Sequence, residues 1–396
     1  MQSVRRALIA AQWIGVALSL YQSVVTVLGL RATVRARPPL TTGGPRFGII
    51  ICARNEEAVV GGIVGDLLRQ EYPAELVQVL AVAHNCTDGT SDAAEGAGAR
   101  VVRVNSDKPG KVYAIAAGLR ELKDSCDLIG VFDADSRVPD TMLANVAAAA
   151  EGEVCLQIEA LPMEAHDWAA TAYGLGRRAR NTFWWRPREG LGLGTTITGA
   201  GWFIRPHVLA ELLQDPRTLT EDLELTARLY SHGYKVAYVS TTFVRIDEPH
   251  SLESSLHQRL RWVRGHFGVV RNEWPGLARR AIRGDLRALD MAIYLLVPTR
   301  IITRLGVTMT AAVSLVRPSL TVPRAIIVPA LAGEWALPAA IAARQRLVPL
   351  SIGGLSMALR HTFLALLWFP IGLWGLVTAN VRVWDRTPRA SRAEES

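Results

Sequence analysis

An uncharged apolar run near the start of the chain, from Ala7 to Leu30, restricts the fold more than any other feature. About 20 apolar residues in a helix suffice to cross the core of a bilayer. A secretory signal peptide is the alternative, but it would have a shorter apolar region and a small-residue cleavage site. We therefore predict a retained transmembrane helix over residues 1–31.

The arginines beside this run indicate its orientation. Arg5 and Arg6 precede it, and four more arginines follow it between residues 31 and 46. Because cytoplasmic flanks of membrane helices collect Lys and Arg, we predict that the chain after residue 31 is cytoplasmic. The four cysteines form no C-x-x-C pair, which favours a reducing compartment and argues against a zinc or disulfide framework.

The formal net charge of +8 is compatible with three kinds of partner: nucleic acid, anionic lipid or a phosphorylated substrate. No basic run is interleaved with aromatic residues in the manner of single-strand binders. We therefore do not expect nucleic acid as a partner, whereas membrane lipid and a phosphorylated substrate stay open.

Between residues 47 and 160, short apolar runs alternate with helical patterns. Continuous apolar strands separated by helices predict a parallel sheet covered on both faces, that is, a doubly wound α/β domain. Ligands in such sheets bind beyond the carboxyl ends of the strands. The loops "ARNEE", "HNCTDGT" and "DADS" each follow an apolar run, so we expect them to face one crevice.

The later part of the chain is mixed and then apolar again. We predict helices at 164–181, 221–232 and 251–270, with short strands near 202–205 and 235–246. Three further apolar segments, at 287–316, 322–343 and 360–380, are each long enough to span a bilayer or to lie in its interface.

The number of crossings in this apolar region, residues 286–380, stays open. Arg300 and Arg304 make the first apolar segment costly at mid-membrane, so we expect part of it to lie along the surface or against protein. Arginines in the tail, residues 381–396, predict a cytoplasmic C-terminus. That prediction requires an even number of crossings, so either the 287–316 segment is interfacial or one region splits.

Asp133-Ala134-Asp135 comes directly after the apolar run "LIGVF". Two carboxylates one residue apart at the end of a strand can hold a hard divalent cation, which in turn binds a substrate diphosphate. The alternative is an Asx-rich turn, but the position at the carboxyl end of a strand favours the metal site.

Thr220, Glu221 and Asp222 stand at the predicted start of a helix. Thr220 can cap that helix, and carboxylates in the first turn are favourable near the helix dipole. Capping alone would explain the three residues. The functional alternative is a general base that takes the proton of an acceptor hydroxyl.

The stretch "HQRLRWVRGHF" places Gln258, Arg261 and Trp262 within about one helical turn. Arginine suits diphosphate oxygens, and tryptophan can stack on a sugar ring. An amphipathic helix with arginines at lipid headgroups is the alternative that this stretch alone would favour.

Taken together in their order, the motifs "CARNEE", "NCTDGT", "GK", "DAD", "TED" and "QRLRW" amount to a resemblance. The chain from about residue 45 to 275 resembles the processive, membrane-embedded family 2 glycosyltransferases. That group includes the cellulose, chitin, hyaluronan and poly-N-acetylglucosamine synthases. The resemblance implies a GT-A fold and a hexosyltransferase that passes a sugar from a cytosolic nucleotide-diphospho-sugar to an acceptor hydroxyl with inversion.

The resemblance also implies a donor site. By position, Glu56 and the loop of Asp88 would line the nucleotide pocket, and Lys111 would lie near the phosphates. Asp133 and Asp135 would bracket the nucleotide-sugar and its Mg²⁺ or Mn²⁺.

On the acceptor side the resemblance implies that Asp222, with Glu221 beside it, is the general base. Arg261 and Gln258 would lie near the diphosphate, and Trp262 would lie under the acceptor sugar. These roles agree with the chemistry that the residue types suggest.

His84 departs from the pattern, since many of these relatives have an aspartate there that accepts a hydrogen bond from uracil. A neutral histidine can accept one hydrogen bond or stack, but it does not reproduce a carboxylate. A UDP-sugar is therefore less firmly expected as donor, and a structural role for His84 is an equal alternative.

The leading hypothesis is an integral membrane, metal-dependent, inverting glycosyltransferase with a polysaccharide or glycan acceptor and a cytoplasmic catalytic domain at residues 45–275. A first alternative is a lipid glycosyltransferase that makes one linkage, similar to the ceramide glucosyltransferase type. A second alternative is a non-catalytic nucleotide-sugar-binding membrane protein.

Overall fold

The computed structural model describes residues 2–32, 43–107, 110–164, 167–213, 218, 220–249, 251–297, 300–348 and 351–379. The tail predicted at 381–396 lies outside the described residues. The chain begins with one long helix, α1 (Gln2–Arg31), which contains the uncharged run.

A seven-stranded sheet forms the centre of the protein. Its strands are β1 (Phe47–Ala53), β2 (Val77–His84), β3 (Arg100–Val104), β4 (Leu128–Asp133), β5 (Cys155–Pro162), β6 (Trp202–Ile204) and β7 (Val236–Ile246). The strand order is β3-β2-β1-β4-β6-β5-β7. All neighbours are parallel except β6, which runs antiparallel to both β4 and β5. The α/β class is confirmed, and the sheet is mixed rather than purely parallel.

Helices cover both faces of the sheet. They are α2 (Val60–Leu68), α3 (Thr90–Gly96), α4 (Lys111–Leu122), α5 (Met142–Ala149), α6 (Trp168–Arg180), α7 (Arg186–Gly190), α8 (Pro206–Leu212), α9 (Glu221–Ser231) and α10 (Leu252–Ile282). A π-helical turn, Asn181–Trp185, joins α6 to α7. One apolar core lies between the sheet and the helices α2 and α5, and a second lies under α4, α8, α9 and α10.

Six more helices follow: α11 (Leu286–Leu296), α12 (Arg300–Val316), α13 (Arg324–Glu334), α14 (Ala336–Arg344), α15 (Ile352–Leu366) and α16 (Trp368–Val377). Three stretches of the described chain are long and apolar enough to cross a membrane, namely Gln2–Arg31, Arg324–Arg344 and Ile352–Val377. A fourth would be added if α11 and α12, which are bent by 74° at a short break, formed one span.

This break shows how the apolar segment at 287–316 accommodates its charges. The helix α11 packs its buried face into the core beneath α10, through Ala288, Met291 and Leu295. The helix α12 begins with Arg300 and Arg304, which lie beside the buried carboxylate of Glu334 at N–O distances of 3.5 and 3.8 Å. The described residues of this segment thus form two helices, and the number of membrane crossings stays a prediction.

The end of α1 packs directly on the sheet domain. A Cβ atom added to Gly29 would lie 2.0 Å from the carbonyl oxygen of Pro187, so the two backbones touch. Thr26 donates a hydrogen bond of 3.2 Å to the carbonyl of Phe183, and Tyr21 donates one of 2.7 Å to Asp290. Small residues at helix contacts permit this close approach.

Candidate active site

Three of the predicted site residues meet at Gly199, in the loop before β6. The Nζ of Lys111 lies 2.5 Å from Oδ1 of Asp133 and donates a hydrogen bond of 2.7 Å to the carbonyl of Gly199. The N–H of Gly199 donates one of 3.2 Å to Oδ2 of Asp222. With φ at 68°, Gly199 has the left-handed backbone that glycine adopts at low cost. One glycine thus connects the "GK", "DAD" and "TED" motifs.

Lys111 is the first residue of α4, which places its amine over the carboxyl end of β4. Its side chain is mostly buried. Burial alone would lower the pKa of Lys111, but the negative charges of Asp133 and Glu221 raise it above the usual lysine range. The ammonium is therefore charged at every physiological pH.

Asp222 and Glu221 occupy the first turn of α9 and face the same site. Burial raises the pKa of Asp222, while the N–H of Leu223, at 2.8 Å, and the charges of Lys111 and Arg261 oppose that rise. Burial and the charge of Asp222 raise the pKa of Glu221 to about 7. Near neutral pH Glu221 is therefore partly protonated, which reduces the negative charge of the pair.

Arg261 is brought towards these carboxylates by the packing of α10 on α9. A Cβ atom added to Gly265, one turn beyond Arg261, would lie 2.5 Å from the side chain of Thr220. The buried Nε of Arg261 has no hydrogen-bond partner in the part of the chain that the structure describes, and the charge of Arg261 lowers the pKa values of both Glu221 and Asp222. Arg261 therefore supplies positive charge at the start of α9.

Trp262 stacks on Trp368 of α16, with ring centroids 6.5 Å apart and planes at 15°. Arg259 lies over the rings of Trp368 and Tyr173 and donates a hydrogen bond of 2.7 Å to the carbonyl of Leu364. Gln258 is half-buried on the same helix. The described contacts thus tie the "QRLRW" helix to the last apolar helices.

The loops after β1 and β2 are joined side by side, as their positions in the sheet predict. Asn55 and Thr87 exchange two hydrogen bonds, at 2.7 and 3.1 Å. The N–H of Glu56 donates to the hydroxyl of Thr90 at 2.8 Å, and the half-buried Glu56 side chain lies in this loop pair. The two loops therefore form one rim of the crevice.

Asp88 is exposed, but its carboxylate accepts hydrogen bonds from other residues of this rim. It accepts hydrogen bonds from the N–H and hydroxyl of Thr90 and from the N–H of Glu57. Burial alone would raise the pKa of Asp88, but these hydrogen bonds outweigh that effect and lower it. Asn85, which belongs to an N-x-[ST] triplet, bonds Ser106 through both ends of its amide. Asp88 and Asn85 thus shape the turn.

His84 is the last residue of β2 and is almost completely buried. Its ring centroid lies 6.4 Å from that of Tyr113, and its Nε2 has no hydrogen-bond partner among the described residues. Burial, aided by the charge of Arg54, lowers the pKa of His84, so the ring is neutral at pH 7. The neutral ring fits both sequence alternatives, a structural role and a contact to a base.

Asp133 and Asp135 can provide two ligands for a divalent cation. Lys111 contacts Oδ1 of Asp133, whereas Oδ2 lies towards Gly199, 3.7 Å from a Cβ atom built there. No cluster of three or more His, Cys, Asp or Glu side chains with metal-ligand geometry occurs in the part of the chain that the structure describes. Two carboxylates fit Mg²⁺ or Mn²⁺ only if substrate phosphates complete the coordination, which is the common arrangement for Mg²⁺.

Two features of the site are absent from the sequence prediction. The first is Gly199, although "GAGWFIR" shows a glycine pair before a strand, which is a usable signal for a close backbone approach. The second is Trp368, for which the sequence offers no signal because it lies far along the chain from its partner Trp262.

The mixed sheet, with carboxylates at the carboxyl ends of its strands, has the architecture of the GT-A fold. The structure is similar to that of a mannosyltransferase from Pyrobaculum calidifontis, solved in complex with GDP-Man and Mn²⁺, with a TM-score of 0.56. The match covers 94% of this chain and 98% of that one at 18% sequence identity, which establishes the fold alone.

Residues 45–265 match the family described as "Glycosyltransferase like family 2". This region makes up more than half of the chain, so the protein belongs to that family.

The relatives include β-monoglucosyldiacylglycerol synthases. That of Synechocystis sp. is 29% identical over 300 residues, covering 72% of this chain and 62% of that protein. That of Nostoc sp. is 26% identical over 288 residues, covering 69% and 61%. A probable glycosyltransferase of Bacillus subtilis, YdaM, is 27% identical over 247 residues, covering 57% and 56%. The chain thus spans less than two thirds of the length of these relatives.

Proposed function

We propose that the protein is a membrane-bound inverting glycosyltransferase that moves a sugar from a nucleotide-diphospho-sugar to a hydroxyl group of a membrane lipid. The observation that carries this proposal is the connection through Gly199. It holds the Lys111–Asp133 pair and the Asp222 carboxylate on opposite sides of one residue. Donor phosphates and acceptor hydroxyl can therefore meet over that glycine.

On the donor side, Lys111 contacts the phosphates of the nucleotide-sugar. Its charge is fixed at neutral pH, and Asp133 and the Gly199 carbonyl hold its amine in one place. A preorganised cation beside a leaving diphosphate stabilises the negative charge that grows as the bond to the sugar breaks. Arg261 adds a second positive charge on the other side of the carboxylate pair.

On the acceptor side, Asp222 is the general base. Its carboxylate takes the proton of the acceptor hydroxyl while the hydroxyl oxygen forms a bond to the anomeric carbon of the sugar. The bond from that carbon to the diphosphate oxygen breaks, and the nucleoside diphosphate leaves with the electron pair. Attack from the side opposite the leaving group inverts the configuration.

Asp133 and Asp135 would hold Mg²⁺ or Mn²⁺ together with phosphate oxygens of the donor. The ion, when bound, offsets the charge of the departing diphosphate.

Two observations favour a lipid acceptor over a growing polysaccharide. The β-monoglucosyldiacylglycerol synthases among the relatives carry a lipid acceptor in their names. In addition, one face of Trp262, the residue that the resemblance places under an acceptor sugar, stacks on Trp368. In this proposal residues 1–31 and 286–380 are the membrane parts, and residues 45–275 are the cytoplasmic catalytic domain.

The test uses the full chain in membranes with radiolabelled UDP-, GDP- and TDP-sugars and Mn²⁺. The expected product is a single glycolipid that extracts into organic solvent, whereas a high-molecular-weight polymer would favour the polysaccharide hypothesis and contradict this proposal. No transfer or hydrolysis of any donor would favour the non-catalytic alternative.

The Asp222→Asn variant tests the base. We expect it to lower the rate of transfer by about 10²–10⁴-fold with little effect on donor binding. Asp92→Asn is the control, because Asp92 is largely exposed and forms a surface ion pair with Arg103. Normal turnover in Asp222→Asn would show that another group takes the proton.

A further inference from the structure

A group of three arginines with a single carboxylate lies beside the active site, between α6 and α10. Arg177 forms an ion pair with Glu248. Arg180 and Arg259 form no ion pair within the described chain, and the charge of Glu248 acts on both of them. Among the described residues the group therefore has more guanidinium groups than carboxylates.

Arg259 is the buried member of this group. Only 5% of its surface is exposed, and aromatic rings of Tyr173 and Trp368 lie at 4.5 and 4.8 Å from its guanidinium carbon. Burial lowers the pKa of Arg259 to about 10, and the nearby charge of Arg180 contributes to the same effect. Such a desolvated, uncompensated cation is costly, and an anion bound nearby would relieve that cost.

Arg180 lines a cavity beside the loop that holds Asp222. The same cavity is lined by Gln157, Trp185 and Thr198, and Thr198 donates a hydrogen bond of 2.8 Å to Gln157. Thr198 is followed directly by Gly199, whose N–H holds Asp222. The charges of both Arg180 and Asp222 act on Tyr294, so an anion at Arg180 and a hydroxyl at Asp222 can belong to one headgroup.

We propose that the acceptor is a phospholipid whose headgroup has a free hydroxyl, with its phosphate bound by Arg180 beside Arg259. This inference rests on the lipid acceptor of the proposed function and specifies its class. The general base requires an acceptor with a proton to lose, which is a hydroxyl. The unbalanced guanidinium groups require an anion next to it, and arginine binds phosphate through paired N–H donors. A phosphodiester headgroup with a hydroxyl satisfies both, whereas diacylglycerol satisfies only the first.

The test measures sugar transfer by the purified full chain in phosphatidylcholine vesicles that contain one added lipid. The four additions are phosphatidylglycerol, phosphatidylinositol, diacylglycerol and a polyprenyl phosphate. We expect labelled product from phosphatidylglycerol or phosphatidylinositol. Product from diacylglycerol alone would overturn this inference and leave the lipid acceptor standing. Product from the polyprenyl phosphate alone would overturn it too, because no hydroxyl is then deprotonated.

The variant Arg180→Gln should raise the KM for the phospholipid acceptor by about 10–100-fold, the usual range for one lost hydrogen bond to a charged group. The KM for the donor and the slow hydrolysis of the donor in the absence of acceptor should not change. Arg180→Lys, which keeps the charge, should recover part of the loss.

The matched control is Arg178→Gln, because Arg178 lies on the same helix but is not among the residues that line the cavity. An equal loss in both variants would mean that the arginines act only through general attraction to the membrane surface, and would overturn the inference. Formation of polymer without any lipid product would instead contradict the proposed function itself.

Discussion

Gly199 donates its backbone N–H to the carboxylate of Asp222 at 3.2 Å, and its carbonyl accepts a hydrogen bond from Lys111. The two polar ends of one residue therefore position the groups that we assign to the acceptor and to the donor. A change in the φ or ψ angle of Gly199 would therefore alter the position of one group relative to the other. The geometry of the site thus depends on a backbone conformation as much as on side chains.

The first prediction concerns that conformation. Gly199→Ala should lower stability by about 1–2 kcal/mol, the cost of a left-handed backbone for a residue with a Cβ atom. The Cβ atom has space, since its nearest neighbour is Oδ2 of Asp133 at 3.7 Å. We expect kcat to fall more than the loss of stability explains. Thermal unfolding and transfer rates measure the two effects.

Gly152→Ala is the control for this prediction. Gly152 has φ of 77° in a turn before β5, and nothing lies within 4 Å of its added Cβ atom. It should lose similar stability without loss of activity. Equal kcat values for the two variants would contradict the role given to Gly199.

The second prediction concerns pH. The pKa of Glu221 is raised from 4.5 to about 7 in the folded protein, so the folded state binds its proton more tightly than the unfolded state does. Its contribution to stability should therefore be lost as the pH rises from about 4.5 to about 7. Glu221→Gln should remove that decline in the melting temperature, whereas Glu95→Gln, at an exposed position, should not.

The same variant separates the two carboxylates in catalysis. If Asp222 is the base, activity should fall as the pH drops through a value above the usual 3.8, in the wild type and in Glu221→Gln alike. Disappearance of this acidic limb in Glu221→Gln would transfer the role of base to Glu221.

The third prediction concerns the metal. Chelation with EDTA should abolish transfer, and added Mn²⁺ or Mg²⁺ should restore it. Asp135→Asn should raise the Mn²⁺ concentration for half-maximal rate by at least about tenfold. Asp140→Asn is the control, because Asp140 is exposed and lies further along the same loop. This variant should leave that concentration unchanged. Full activity in EDTA would show that Lys111 and Arg261 suffice without an ion.

The fourth prediction concerns stability away from the chemistry. Arg188 and Asp290 form a buried ion pair at 2.9 Å, with side chains 3% and 4% exposed. Asp290→Ala would leave the guanidinium uncompensated and should cost about 3–5 kcal/mol. The double change Arg188→Met with Asp290→Leu should recover much of this loss. Unchanged unfolding of Asp290→Ala in detergent would contradict the prediction.

The strands are where the sequence was most informative. The apolar runs of β1 and β4 are buried on both faces, so continuous hydrophobicity identified them. The direction of β6 could not be inferred, because a three-residue strand takes its direction from the neighbours it pairs with.

The helix α10 shows why helix ends were less predictable. The sequence pattern predicts its end near residue 270, and Pro275 also argues against continuation. The helix nevertheless runs to Ile282, because Leu277 is buried in the core and Gly276 packs on Ser231 of α9. Tertiary contacts here outweigh local preference.

In the site, the ordered motifs located the carboxylates and Lys111, since each follows a strand or begins a helix. Contacts between distant parts of the chain could not be found in the same way. Arg259 bonds Leu364, 105 residues further along the chain, and no local pattern encodes that pair. The roles assigned to the site residues stay predictions until the variants are measured.

The contact between Gly29 and Pro187 has a practical meaning for producing this enzyme. A shortened chain beginning at residue 43 would lose the hydrogen bond from Tyr21 to Asp290, which is paired with Arg188. It would also expose the backbone of α7 to water. Removing the first helix to gain solubility would therefore damage the catalytic half. Purification should keep the helix and use detergent or nanodiscs from the first step.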